Sequence, residues 1–216
     1  MTLLVDEGAV RDWLRDALGA DDAAVARLDT LVALLREENQ RQNLVAAATL
    51  DQMWVRHIAD SAQLLIVSRG TSGPWLDLGT GAGFPGLVVA LLDPLREVVM
   101  VESRAKRAAW LESVVAHFEL SGSRVASSRL ETVPAFDAAV ISARAFAPLD
   151  RLIALSARFS TPQTRWLLPK GRNGAKELSE MPKSLQTMFH VEQSITDAES
   201  VIVVGQGNPP PSRPRR

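Results

Sequence analysis

Apolar residues recur at helical spacing through the first third of the chain, then break into short bounded runs from about residue 75. Residues 7–19 and 22–47 carry the first pattern. In the second of these, Val25, Leu28, Leu31, Val32 and Leu35 fall on one helical face, and Asp21 or Asp22 stands where a cap belongs. Gly19-Ala20 marks the break between the two, and the polar patch Asn39-Gln40-Arg41-Gln42-Asn43 is where the second helix should fray. Thr49 is placed to cap a third helix reaching about Val67, with Met53, Trp54, Ile58, Leu64 and Leu65 on its apolar side. Beyond it, strands are predicted near 75–79, 97–102, 123–126, 137–142 and 164–169, and helices near 84–93, 104–119 and 148–159, with Ser103 capping the middle one. That alternation predicts an α/β fold, a mostly parallel sheet with helices on both faces. Residues 184–193 and 200–206 read as two more strands around Thr196-Asp197-Ala198, an antiparallel hairpin ending the sheet.

Three regions follow: an N-terminal helical extension packed on the core (1–70), the α/β domain (71–207) and a proline-rich basic tail (208–216) expected to be disordered. Apolar residues at 46% and charged residues at 23% of 216 are ordinary for a globular chain with one substantial core. No run of eighteen apolar residues is present, so no membrane span is expected, and Met1–Glu7 lacks the basic start of a signal peptide, so the expected location is cytoplasmic. With no cysteine there is no disulfide, no thiolate metal site and no thiol nucleophile of the kind that methylation at pyrimidine carbon 5 usually needs. His57 and Asp60 share a helix face but find no further ligand at compatible spacing, so no metal is expected and His57 reads as structural or RNA-facing.

Charge changes the picture once it is divided along the chain. Residues 1–76 carry seven Lys/Arg and eleven Asp/Glu, while residues 103–183 carry thirteen against seven, a net +6 that suits an acidic polymer as well as a mixed solvated surface.

The chemistry concentrates in Pro74–Gly86. The run Trp75-Leu76-Asp77-Leu78 breaks into four glycines within eight residues (Gly79, Gly81, Gly83, Gly86), and an apolar helical segment follows Pro85. Glycine is needed where the backbone takes positive φ or lies against a ligand, and the free N–H groups of a helix start suit a polar cofactor edge. Gly81-Ala82-Gly83-Phe84-Pro85-Gly86 satisfies G-x-G-x-x-G, and Glu102 lies 21 residues beyond Gly81, so a dinucleotide such as NAD is formally allowed. That fingerprint wants its first glycine directly after the strand, whereas Asp77 and Gly79 already occupy the strand end. Asp77-x-Gly79-x-Gly81-x-Gly83 instead resembles the first motif of S-adenosylmethionine (SAM) methyltransferases, and Glu102 stands where that family keeps the acid that holds the ribose.

Further segments narrow the resemblance. Asn43-Leu44-Val45, Val55–Ser61 (V-R-H-I-A-D-S), Asp77–Gly86, Ser103–Arg107, Arg144–Leu149 (R-A-F-A-P-L) and Pro169-Lys170-Gly171 together resemble the bacterial small-subunit rRNA guanine-N7 methyltransferase family, RsmG or glucose-inhibited division protein B. The resemblance runs from about residue 30 to 180. It implies a SAM-methyltransferase fold and an enzyme that methylates N7 of one guanine in the decoding-region loop of 16S rRNA, with the small ribosomal subunit as partner. It also implies that Gly79, Gly81, Gly83 and Phe84 lie along the cofactor loop, that Glu102 binds the ribose, that Leu130 and Glu131 border the adenine, and that Arg144, after the fourth strand, binds the cofactor as well. Glutamate at 102 replaces the family's usual aspartate and keeps the acceptor.

Guanine N7 carries an in-plane lone pair and no proton, so transfer to it needs alignment and no general base. The target base must be exposed or extruded to offer that edge. Arg144, Phe146 and Lys170 are candidates to meet it near the strand ends, and Arg56, Arg104, Lys106, Arg107, Arg172 and Lys176 are candidate phosphate contacts. No catalytic side chain is assigned. An NAD-dependent oxidoreductase, a small-molecule methyltransferase and an RNA-binding module without turnover stay open beside the leading reading, and a monomer is expected.

Overall fold

Aspartate caps start the first two helices. The computed structural model describes residues 3–209, so that 210–216, most of the expected basic tail, lies outside the described residues. In α1 (Glu7–Leu18) Asp6 accepts the Ala9 amide at 2.8 Å, and in α2 (Asp22–Glu38) Asp21 accepts that of Ala24 at 2.7 Å. α2 stops nine residues short of the predicted end at 47. The Asn39 side chain accepts the amides of Leu44 (2.8 Å) and Val45 (2.9 Å), giving the backbone an alternative to the helix.

The predicted single helix 49–67 is three pieces: a 3-10 turn at Ala47–Gln52, a π-helical turn at Trp54–Ala59, and α3 (Asp60–Val67). Thr49 does not cap; its hydroxyl donates to Ala46 O at 2.8 Å. The wide π turn buries Trp54, Val55, His57, Ile58 and Ala59 and leaves only Arg56 exposed, a share of buried side chains that an amphipathic α turn does not offer.

The α/β part then follows: β1 (Trp75–Leu78), α4 (Gly86–Leu92), β2 (Val98–Val101), α5 (Ala105–His117), β3 (Ser123–Ala126), β4 (Val140–Ala143), α6 (Leu149–Ser156), β5 (Arg165–Lys170), α7 (Gly174–Ser179), α8 (Lys183–Gln186), β6 (Phe189–Gln193) and β7 (Val201–Gln206). The sheet order is β3-β2-β1-β4-β5-β7-β6, parallel through β5, with β7 antiparallel between β5 and β6. The expected hairpin is therefore present, but residues 184–188 do not belong to it. Pro182 starts the short α8, and the Gln186 amide holds Ser179 O and Met181 O at 2.9 and 2.7 Å. β4 also starts three residues later than predicted, because the Ala138 and Ala139 amides bond Phe159 O and Pro74 O outside the ladder. Ser103 does not cap α5; the Glu102 carboxylate accepts the Arg104 amide at 2.8 Å in its place.

Strand side chains alternate between two apolar layers, as period-two geometry requires. Trp75, Val98, Met100, Val140 and Leu167 join α1 to α5 on one face, and Leu76, Leu78, Val99, Val101, Ile141 and Trp166 join α6 to α8 on the other. The N-terminal helices thus share a core with α4 and α5. Neighbouring β1 and β4 send their chains in opposite directions along the sheet, which opens a crevice at their carboxyl ends, where ligands bind in sheets of this kind.

Candidate active site

Two cavities open at that crevice. The first, about 540 Å³, is lined by Gly79, Glu102, Arg104, Arg107, Leu130, Glu131 and Phe146, with Arg129 and Arg151 also on its wall. The second, about 390 Å³, is lined by Thr49, Arg56, His57, Asp60, Arg144, Lys170 and Glu177. Ala145 lines both.

The glycine loop forms one wall of the first cavity. Gly79 takes φ +62° and Gly81 φ +60°, a region costly to other residues, and a Cβ on Gly79 would run into the Phe146 ring. Beneath the loop, Asp77 is fully buried: Oδ2 accepts the Gly86 amide at 3.0 Å, and Oδ1 accepts the Ser142 hydroxyl at 2.7 Å. Ser142 Oγ in turn accepts the Trp75 indole N–H at 2.8 Å. Burial pushes the Asp77 carboxyl up to about 6, while its hydrogen bonds pull the other way. This carboxylate ties the end of β1 to the start of α4 and fixes the loop between them. Glu102, 5% exposed, accepts the Gly81 amide on Oε2 at 3.1 Å and the Arg104 amide on Oε1, so β2 and the loop are locked together.

Arg144 follows β4 and points into the second cavity, away from Gly79, Glu102, Leu130 and Glu131. Nη1 donates to Arg56 O (3.1 Å) and Asp60 Oδ2 (3.4 Å), and Nη2 to His57 Nδ1 (3.0 Å). Arginine has no acceptor, so His57 Nδ1 accepts and Nε2 carries the proton, which it gives to Thr49 Oγ1 at 3.0 Å. The imidazole stacks on Phe84 at 4.9 Å, and the Arg144 guanidinium lies 5.1 Å from the same ring. Burial first, then the charges of Arg144 and Arg56, drive His57 down to about 3, so it is neutral and structural at ordinary pH.

Of the sequence-chosen residues, Gly79, Glu102, Arg104, Arg107, Leu130, Glu131 and Phe146 meet at the first cavity, and Arg56, Arg144 and Lys170 at the second. Gly81, Gly83 and Phe84 line neither cavity: Gly83 packs against Leu87, and Phe84 lies beneath His57 and Arg144 of the second cavity. Lys106 is exposed on α5, Arg172 pairs with Glu199 at 3.0 Å, and Lys176 pairs with Glu180 at 3.8 Å, all outside both cavities. Each cation of the second cavity has an acid: Arg56 with Asp197 (2.8 Å), Arg144 with Asp60, and Lys170 with Glu177 (2.9 Å). The Ser142 relay carries no local sequence signal, since Asp77 and Trp75 lie more than sixty residues away, and neither does the bond from the Leu149 amide to Glu177, 28 residues apart.

The GidB family model, described as rRNA small subunit methyltransferase G, matches residues 24–202. A Novosphingobium aromaticivorans protein named Ribosomal RNA small subunit methyltransferase G is 57% identical over 205 residues, 94% of this chain and 89% of its own. The protein of that name from Sphingopyxis alaskensis is 55% identical over 98% of this chain and 91% of its own. Among solved structures, a mutant of MtNAS in complex with S-adenosylmethionine aligns with a TM-score of 0.54 at 15% identity, over 94% of this chain and 84% of that one. A putative S-adenosyl-L-methionine-dependent methyltransferase from Methanococcus maripaludis aligns with a TM-score of 0.53 at 12% identity, over 71% and 86%. At such identities the likeness to both structures is one of fold.

Proposed function

The chain belongs to the GidB family of small-subunit rRNA methyltransferases, and from that premise we propose that it transfers the methyl group of SAM to N7 of a guanine in the decoding-region loop of 16S rRNA. The observation that carries this reading is the pair of cavities that share Ala145: a donor in one and an acceptor in the other can meet across a single residue.

The first cavity fits SAM. Its volume is that of a small-molecule site, and the missing Cβ at Gly79 lets the Phe146 ring pack directly on the loop at the cavity's edge. Glu102 offers a carboxylate whose remaining lone pairs suit ribose hydroxyls, and Leu130 beside Glu131 offers an apolar edge and an acceptor for an adenine. Bound there, SAM supplies a methyl group on a cationic sulfur. Arg104 and Arg107 on the same wall face solvent-accessible space in which RNA phosphates can lie.

The second cavity suits the target base. N7 must stay free to react, so the place for a cation is guanine O6 or the flanking phosphates, and Arg144, held by Asp60 and His57 over Phe84, is the pre-oriented group. No general base is required, and neutral His57 is already used on both nitrogens. The chain's contribution is orientation. Family membership does not favour the NAD-dependent or small-molecule readings. Among the described residues no helix is long and apolar enough to cross a membrane, and we place the enzyme in the cytoplasm, acting as a monomer.

Methyl transfer from labelled SAM to unmethylated 30S subunits and to protein-free 16S rRNA, with the modified base mapped, tests this. Label at a guanine N7 is expected; label at another atom or nucleotide class, or none on either RNA with SAM bound, overturns it.

A further inference from the structure

The partition between the cavities is residues 144–149, and it is held by a pair of residues in the wall of the second cavity, Lys170 and Glu177, whose polar atoms are already engaged with each other and with the partition backbone. Ala145 lines both cavities and takes φ +53°, which an alanine adopts only where its surroundings hold it. Phe146 next to it lays its ring on Gly79. Two residues further on, Lys170 Nζ donates to Ala147 O at 3.1 Å and to Glu177 Oε2 at 2.9 Å. The same Oε2 accepts the Leu149 amide at 3.0 Å, the first N–H of α6, which has no side-chain cap of its own. Lys170 on β5 and Glu177 on α7 therefore clasp the segment at Ala147 and Leu149, while Arg144 anchors its other end through Asp60 and His57. The left-handed alanine and the aromatic ring are suspended between these anchors.

We propose that Glu177, acting through Lys170, is a positioning residue for methyl transfer, setting where Ala145 and Phe146 stand between donor and acceptor; the inference rests on the functional reading above. It also reassigns Lys170. An ammonium with three protons that already serves Ala147 O and Glu177, on a side chain 12% exposed, acts as a fastener for the partition and not as a contact to the target base or its phosphates. Transfer depends on alignment, in which a displacement of about 1 Å can cost on the order of a hundredfold, so a slack partition lowers the rate before it lowers affinity.

The two assignments of Lys170 predict opposite results from one set of variants of the full chain. Glu177→Ala, Glu177→Gln and Lys170→Met are compared with wild type for SAM affinity by calorimetry, 30S affinity against salt, single-turnover methyl transfer at saturating SAM and 30S, and thermal unfolding. As a positioning pair, Glu177→Ala and Lys170→Met each lower the single-turnover rate about tenfold or more, with SAM and 30S affinities within about threefold of wild type. Their double variant is no slower than the worse single one. Glu177→Gln, which keeps an acceptor for the Leu149 amide, recovers a large part of the rate, a rescue that loss of fold would not give. If Lys170 is a phosphate contact, Lys170→Met weakens 30S binding and flattens its salt dependence, while Glu177→Ala frees the ammonium and keeps or raises 30S affinity. That pattern, or an unchanged rate in Glu177→Ala, overturns the proposal alone. Absence of transfer by the wild type overturns the functional reading and this proposal with it.

Discussion

The Gly81 amide donates to Glu102 Oε2 at 3.1 Å across 21 residues of chain, so the acid that closes β2 shapes the loop as well as facing the cavity. The loop conformation and the acceptor for a ribose are one unit. A bound cofactor would meet a wall already fixed by a hydrogen bond to Glu102, which lowers the ordering cost of binding.

Gly81→Val is expected to weaken SAM binding at least about tenfold in calorimetry while the chain still folds, since a side chain at φ +60° is strained by roughly 1–2 kcal/mol. A Cβ there would meet only Arg107 Nη1 at 3.5 Å and Gly79 O at 3.7 Å, both ordinary contacts. Wild-type affinity in this variant would show that the left-handed turn at Gly81 and its bond to Glu102 do not shape the cofactor site.

Arg144→Ala is expected to lower single-turnover methyl transfer by about tenfold or more and to leave SAM affinity within about threefold, because the guanidinium faces the second cavity. A loss confined to SAM affinity would place Arg144 with the cofactor, as the family resemblance implied.

The alternating strands, the glycine loop and Glu102 were legible because they are local: each is a run of residues whose spacing carries its own geometry. Phe146 could be named but not placed, since only the left-handed turn at Ala145 aims its ring at Gly79. Arg144 was assigned to the cofactor from its position after β4, yet its direction is set by Asp60 and His57, more than eighty residues earlier. The early end of α2 rests on one asparagine side chain taking two amides, a competition that apolar periodicity does not register. The clasp of Lys170 and Glu177 spans one turn between β5 and α7 and reads locally as an ordinary surface ion pair.

Ser142→Ala is expected to cost about 1–3 kcal/mol at pH 7.5 in urea unfolding, because it strips Asp77 of a donor and Trp75 Nε1 of its acceptor where neither meets water. The cost should shrink near pH 5. There the Asp77 carboxyl, pushed up to about 6, is largely protonated and no longer a buried anion. An equal loss at both pH values would mean that Asp77 does not change its protonation between them.

His57 gives a pH dependence of the opposite sense. Its folded value of about 3 lies below the ordinary 6.5, so on acidification the unfolded chain takes the proton first. Its contribution is full above 6.5 and drains as pH falls toward 3. Asp77, raised from 3.8 to about 6, contributes fully below 3.8 and loses that contribution as pH rises through 6. The two offset each other between 3.8 and 6, so the wild-type curve alone hides both. His57→Gln separates them: its stability deficit relative to wild type should narrow from about pH 7.5 to about pH 5, and a constant deficit would show that the imidazole is not held neutral. Removing the Arg144 charge relieves one of the causes that depress His57, so the same comparison made in an Arg144→Ala background should narrow less over that interval. Burial, the larger cause, persists there, and some narrowing remains.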